Sequence, residues 1–152
     1  MAKTLSVAAI KEGTVIDHIP AGNALKIVRL LHLESKGHRI SIGIHLTSKS
    51  IGSKDLIKIE SHFLSEEEAR YIAIFAPEAT ISLIKNYQVA SKMSAKLHET
   101  IERVLVCPNS RCITNHEPLF SRFHVEEHKH RVLLHCCYCE KMFARDEIKE
   151  YA

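Results

Sequence analysis

The chain has 152 residues, 45% of them hydrophobic and 26% charged, with a formal net charge of +3 at pH 7. That length suits one medium domain or two small ones, and the composition is that of a globular protein, not a disordered or fibrous one. The first ten residues, MAKTLSVAAI, lack the long apolar run and cleavage-type site of a secretory leader, and no segment reaches transmembrane length, so no membrane association and a cytoplasmic, reducing setting are expected.

Residues 14–19 (TVIDHI) read as a strand stopped by Pro20. Ala21, Ala24, Leu25, Val28 and Leu31 then recur at helical spacing and predict a helix over 22–33. Ile40, Ile42, Ile44 and Leu46 alternate with Arg39, Ser41, Gly43 and His45, the period-2 pattern of a half-buried strand. The Ser/Gly/Lys-rich stretch 47–53 is its turn, too short for a crossover, so the strand 54–59 (KDLIKI) returns antiparallel. Ser65 and Glu68 stand at capping-box spacing, with acids in the first turn, and open a second helix that runs to about Phe75, before Pro77. Residues 80–84 and 87–91 are two further short strands around a polar turn.

Strand, helix, strand, strand, helix, strand is the ferredoxin-like arrangement, an antiparallel sheet with two helices, here with one strand added. On the strand 54–59, Lys54, Leu56 and Lys58 point to one face and Asp55, Ile57 and Ile59 to the other. If the helices cover the Ile57 side, the two lysines face solvent or a ligand. Asp17, His18 and Lys92 can join them to hold an anionic, hydrogen-bonding ligand such as a nucleotide, although lysines on a sheet also serve simply to solubilise it or guard an edge. Neither G-x-x-x-x-G-K-[ST] nor G-x-G-x-x-G is present, and no nucleophile, base and acid set is evident, since Asp17 and His18 are neighbours on one strand.

The last third of the chain carries the sharpest chemistry. Cys107-x4-Cys112 and Cys136-x2-Cys139 are two close pairs, each able to present two thiolates from one tight turn, and together they make the four-sulfur shell preferred by one structural Zn²⁺. Two disulfides are the alternative, disfavoured by a reducing compartment. Cys137 lies inside the second pair, where x2 spacing favours Cys136 and Cys139. His116, His124, His128, His130 and His135 are further candidate ligands, most of them expected to be solvated. A filled shell leaves no open position for zinc catalysis. Strand-like segments 119–125 and 131–135, around a polar turn at 126–131 (EEHKHR), complete a small all-β zinc ribbon whose folding is coupled to its metal. Four thiolates and one Zn²⁺ bring the net charge to about +1, which weakens the alternative of a zinc-ribbon nucleic-acid binder, supported by the ribbon and the basic 129–131 stretch.

The runs GTVIDHIP (13–20), KDLIKIE (54–60), Ala76-Pro77-x-Ala79-Thr80 and VLVCPNS (104–110) resemble the regulatory chain of aspartate carbamoyltransferase, in the same order and over nearly the whole length, with the four cysteines in place. The resemblance implies a non-catalytic subunit, with residues 1–96 a nucleotide-effector domain and residues 97–152 a zinc domain that docks on catalytic chains. It also implies regulatory homodimers that bridge catalytic trimers. Pyrimidine triphosphates such as CTP and UTP are the implied feedback inhibitors of pyrimidine biosynthesis, and ATP the implied activator. Carried over by position, Val7, Ala8, Ile10, Asp17, His18, Lys54, Leu56, Lys58, Ile84, Tyr87, Val89 and Lys92 fall at nucleotide contacts, with Lys58 and Lys92 foremost. Asn109, Arg111 and Glu140 fall on the docking surface, where Arg111 replaces a smaller polar residue. Ala8 stands where the best-known members carry an acid and Ser82 where they carry an amide, both positions that bear on base selectivity.

Overall fold

A computed structural model describes residues 7–129 and 131–152, and these fall into two compact units, the first ending at Lys96 and the second beginning at Leu97. Among the described residues, no helix is long and apolar enough to cross a membrane.

The first unit is an antiparallel sheet of β1 (Gly13–Pro20), β2 (Ile40–Ser48), β3 (Gly52–Glu60), β4 (Thr80–Lys85) and β5 (Gln88–Ser94), in the order β2-β3-β1-β4-β5. Two helices, α1 (Ala24–Leu30) and α2 (Glu66–Phe75), complete it. Pairing aligns Ile42, Ile57, Ile16, Ile81 and Met93 in one row across all five strands. Side chains directly opposite one another share a face, so this row defines the core side, where Ile16, Ile57 and Ile81 have no exposed surface. The helices contribute Ile27, Val28 and Leu30 from α1 and Ile72, Ala73, Ile74 and Phe75 from α2. The α+β architecture expected from the order of elements is the one observed.

Local chemistry accounts for the ends. Ser65 caps α2 through a complete capping box with Glu68. Helix α1 is shorter than its apolar stripe, because His32 adopts a left-handed conformation (φ 52°) that ends the helical ladder, and Leu33 reaches the core from a separate 3₁₀ turn, Leu33–Ser35. Strand β5 runs three residues beyond Ser91, since pairing with β4 continues to Thr80 opposite Ser94.

The second unit is a four-stranded antiparallel sheet, β6 (Thr100–Glu102), β7 (Arg122–His128), β8 (Arg131–Cys136) and β9 (Met142–Ala144), paired in chain order. Its core rows are Ile101, Phe123 and Cys136, and Val125, Leu134 and Phe143. Strand β7 lies three residues later than the apolar pattern at 119–125 suggests: Leu119 and Phe120 are exposed, and pairing continues to His128 opposite Arg131, which shortens the polar turn. Ser121 is held out of the strand by donating to the Leu105 carbonyl. The C-terminus closes this unit: Val106 N–H donates to Glu150 O at 3.1 Å and Ala152 N–H to Val104 O at 3.0 Å.

Candidate metal centre and effector face

The first cysteine pair sits on a knuckle braced by its own amides. Cys112 N–H donates to Asn109 O (2.9 Å), and the Asn115 side chain donates to the carbonyls of Cys107 (3.0 Å) and Asn109 (2.8 Å). His116 Nε2 donates to Ser110 O at 2.7 Å. The second knuckle leaves the end of β8: Glu140 N–H donates to Cys136 O at 2.9 Å, with Glu140 in a left-handed conformation (φ 61°), and His135 Nε2 donates to Glu140 O at 3.0 Å. These bonds consume His116 and His135, while His128 pairs with Glu126, His124 is exposed, and His130 lies outside the described residues.

The two knuckles bring the sulfurs of Cys107, Cys112, Cys136 and Cys139 within 4.8 Å of one another. A tetrahedral zinc with Zn–S bonds of about 2.3 Å requires sulfurs about 3.8 Å apart. Cys107 to Cys139 and Cys112 to Cys136 are each 3.8 Å. All five cysteines are free thiols, so the disulfide alternative is not realised. Cys137 is exposed and outside the cage, its N–H given to Arg122 O at 2.9 Å. Burial pushes the Cys107 and Cys136 thiols up. At Cys139 burial acts the same way, but hydrogen bonds from the Asn109 side chain, the Lys141 main chain and the neighbouring thiols outweigh it and bring the group down to about 7. Four sulfurs this close cannot all ionise beside one another without a cation among them, and a divalent ion with a taste for thiolate fits that donor set. The ion would be held by Cys107, Cys112, Cys136 and Cys139, and its uptake would release protons. Asn109 serves the knuckle itself, accepting from Arg111 N–H at 3.1 Å, whereas Arg111 and Glu140 are exposed, one on each knuckle.

The first unit gathers the other candidate residues. Opposite the core side of its sheet, pairing aligns Lys58, Val15, Ser82 and Lys92 in one row. Gly13, Ile84 and Val89 form the next row, and Asp17 and Thr80 stand on the other flank. Leu56 and Lys54, at alternate positions of β3, belong to the same face. Register thus collects residues from β1, β3, β4 and β5 that are far apart in sequence. Tyr87 lies beyond them in the β4–β5 turn, left-handed (φ 64°) and 65% exposed.

Strict alternation would send Asp17 and His18 to opposite faces. The register shift between Ile16 and Ile19 and the left-handed His18 (φ 60°) undo it: His18 Nδ1 lies 3.2 Å from Thr80 Oγ1, and Thr80 is the cross-strand partner of Asp17. Both residues therefore reach one side. The sequence placed Thr80 only in the run 76–80 and at the start of a strand, and the register sets it beside His18.

This face is not bare. Residues 7–12 run across it, with Ile10 buried, Tyr87 N–H donating to Lys11 O (3.0 Å) and Ser61 N–H to Glu12 O (2.9 Å). Lys58 is 8% exposed and donates to Val7 O and Ala8 O, each at 2.9 Å. Burial lowers its pKa, and Asp17 opposes that fall. Lys54 is 2.9 Å from the Asp17 carboxylate. Lys92 is exposed and has no partner among the described residues.

Two family models match the chain: the allosteric domain of the aspartate carbamoyltransferase regulatory chain over residues 5–96, and the metal-binding domain of the same chain over residues 99–149. Among its relatives, the aspartate carbamoyltransferase regulatory chain of Chromobacterium violaceum is 47% identical over 150 residues, covering 99% of each chain. The regulatory chain of Vibrio campbellii is 47% identical across 96% of this chain and 95% of its own, and that of Vibrio cholerae serotype O1 is 47% identical across 96% and 94%. With an allosteric domain that carries a polar, lysine-bearing face and a metal-binding domain that carries a closed four-sulfur cage, the chain belongs to the aspartate carbamoyltransferase regulatory chains and is a regulatory, not a catalytic, subunit.

Proposed function

We propose that the face opposite the core of the first sheet binds nucleoside triphosphates, and that the chain passes their signal to the catalytic chains of aspartate carbamoyltransferase as feedback control of pyrimidine synthesis. The observation that carries this reading is the alignment of Asp17, His18, Leu56, Lys58, Ile84, Val89 and Lys92 on one face by strand register. Apolar side chains there suit a base, the segment at Val7, Ala8 and Ile10 offers main-chain groups to read it, and Lys92 offers a charge to phosphate. Asp17, Lys54 and Tyr87 frame the surface. CTP and UTP are the expected inhibitors and ATP the expected activator.

In this reading the ion in the sulfur cage is one structural Zn²⁺. It holds the two knuckles so that Asn109, Arg111 and Glu140 present a docking surface to catalytic trimers. A second copy of the chain completes a regulatory homodimer, for which β2 and β5, the edge strands of the sheet among the described residues, provide main chain. Effector and substrate must then be reciprocally coupled through the catalytic chains. The subunit works in the cytoplasm, where thiols stay reduced.

Calorimetric titration of the metal-loaded chain with CTP and with ATP tests the site. Saturable binding of one nucleotide per chain, weakened about tenfold or more in Lys92→Met, is the expected result. Saturable binding that is indifferent to Lys92, or no binding at all, contradicts it.

A further inference from the structure

The outer face of the second sheet carries a row of side chains that the sulfur cage does not use. Pairing sets Thr100, His124, His135 and Met142 opposite one another on β6, β7, β8 and β9. The rows on either side hold Phe123 with Cys136 and Val125 with Leu134, all buried, so the row between them points away from the core. His124 is exposed and His135 half-buried. Side chains directly opposite on neighbouring strands have Cβ atoms about 4.5–5.5 Å apart. An ion with metal–nitrogen bonds of about 2.0–2.1 Å requires two ring nitrogens about 3 Å apart, a separation that side-chain rotation reaches from strands this close.

His135 is prepared for such a role. Its Nε2 lies 3.0 Å from Glu140 O. A carbonyl only accepts, so Nε2 carries the proton and Nδ1 keeps its lone pair. The bond that withholds Nε2 from the cage therefore fixes the tautomer that ligates through Nδ1, the outer-shell arrangement usual for metal-bound histidine. Its acceptor is itself held, because Glu140 N–H donates to Cys136 O at 2.9 Å. Among the described residues, neither His124 nor Nδ1 of His135 has a partner.

Charge around the row is balanced. Arg122 and Glu126, two residues before and after His124, share its face, but Arg122 is 3.4 Å from Glu102 and Glu126 is 3.2 Å from His128. Thr100 and Met142 close the row with uncharged side chains. No unpaired cation there repels a metal ion, and no unpaired carboxylate competes with the imidazoles for it. Two nitrogen donors select a borderline transition-metal ion such as Zn²⁺ or Ni²⁺ over Mg²⁺ or Ca²⁺, which take oxygen.

We propose that His124 and His135 hold a second divalent transition-metal ion, outside the sulfur cage, with water in its remaining positions. The ion ties β7 to β8 one residue before Cys136 and stabilises the second unit by mass action. The cage is closed and buried, whereas this site is open and exchangeable, so its occupancy follows the supply of metal.

The full-length chain, holding one zinc in its cage and stripped of loose metal by a weak chelator, is titrated calorimetrically with Zn²⁺, Ni²⁺ and Mg²⁺, while the histidine ring nitrogens are followed by NMR. Wild type should bind one further Zn²⁺ or Ni²⁺ and no Mg²⁺, with His135 Nδ1 and one ring nitrogen of His124 shifting together. Its second unit should unfold at a temperature that rises with free Zn²⁺. His124→Ala removes an exposed ligand and should weaken both ions about tenfold or more, abolish the metal-dependent rise and leave the cage zinc in place. His128→Ala, on the same face, should change affinity by less than about twofold.

No further ion in wild type would overturn the proposal. So would binding indifferent to His124→Ala, or weakened as much by His128→Ala, which would place the ion at the β7–β8 turn. Should His124→Ala also shed the cage zinc, the wild-type ring nitrogens decide: shifts confined to His124 and His135 uphold the site, and shifts at other histidines overturn it.

Discussion

Asp55 is the clearest case of one side chain deciding local structure. It has no exposed surface, and its carboxylate accepts from Gly22 N–H (2.9 Å), Ala24 N–H (3.0 Å) and His45 N–H (3.0 Å). It thereby satisfies amides at the start of α1 and at the irregular turn of β2, where His45 is left-handed (φ 56°). Asp55→Asn should destabilise the first unit by about 2–4 kcal/mol, because an amide in that site turns at least one donor against a donor. Urea unfolding followed by far-UV circular dichroism measures this, and a loss below about 0.5 kcal/mol would mean that water replaces those bonds. The sequence placed Asp55 correctly on the side of Ile57 and Ile59 but gave no sign of its use, since the three amides it meets come from other elements. The cysteine cage was legible because both halves of each ligand pair are local; the Lys58 bonds were not, because Val7 and Ala8 lie 51 and 50 residues away.

At the scale of elements, legibility followed the range of the forces involved. Helix α2 was readable to its first residue, since a capping box is a contact between positions three apart. Ser65→Ala should cost about 1 kcal/mol, read as a drop in unfolding midpoint without change in slope; an unchanged midpoint would show that packing alone fixes that end. Helix α1 and strand β7 were placed less well. Apolar periodicity continues past His32 and begins before Arg122, but a left-handed residue ends the one and the Ser121 contact to Leu105 delays the other. Strand β5 was read short because its residues are almost all exposed, and pairing with β4, not burial, extends it. The same pairing makes the lysine-bearing face: alternation within one strand separates Lys54, Leu56 and Lys58 from Ile57 and Ile59, but the rows that join them to Ser82, Ile84 and Lys92 exist only as register.

For the whole molecule, the physical expectation is two modules that fail separately. The second unit has a small core, and its knuckles converge on four sulfurs that need a cation between them. Strong chelation should unfold it while the first unit keeps its circular dichroism and the nucleotide binding proposed for it. Mixed with catalytic trimers, the chelated chain should no longer form a complex, as mass measurement would reveal; an intact complex without metal would remove the cage from the docking account. Cys139→Ala should behave as the chelated chain does. The account as a whole stands on transmission of a nucleotide signal to a catalytic partner. The most direct test is the substrate saturation curve of aspartate carbamoyltransferase reconstituted from this chain and its catalytic trimers, recorded with and without saturating CTP and ATP. Displacement of the curve by at least one nucleotide, abolished by Lys92→Met, is the predicted result, and curves that superimpose under all conditions, in an assembled complex, would contradict it.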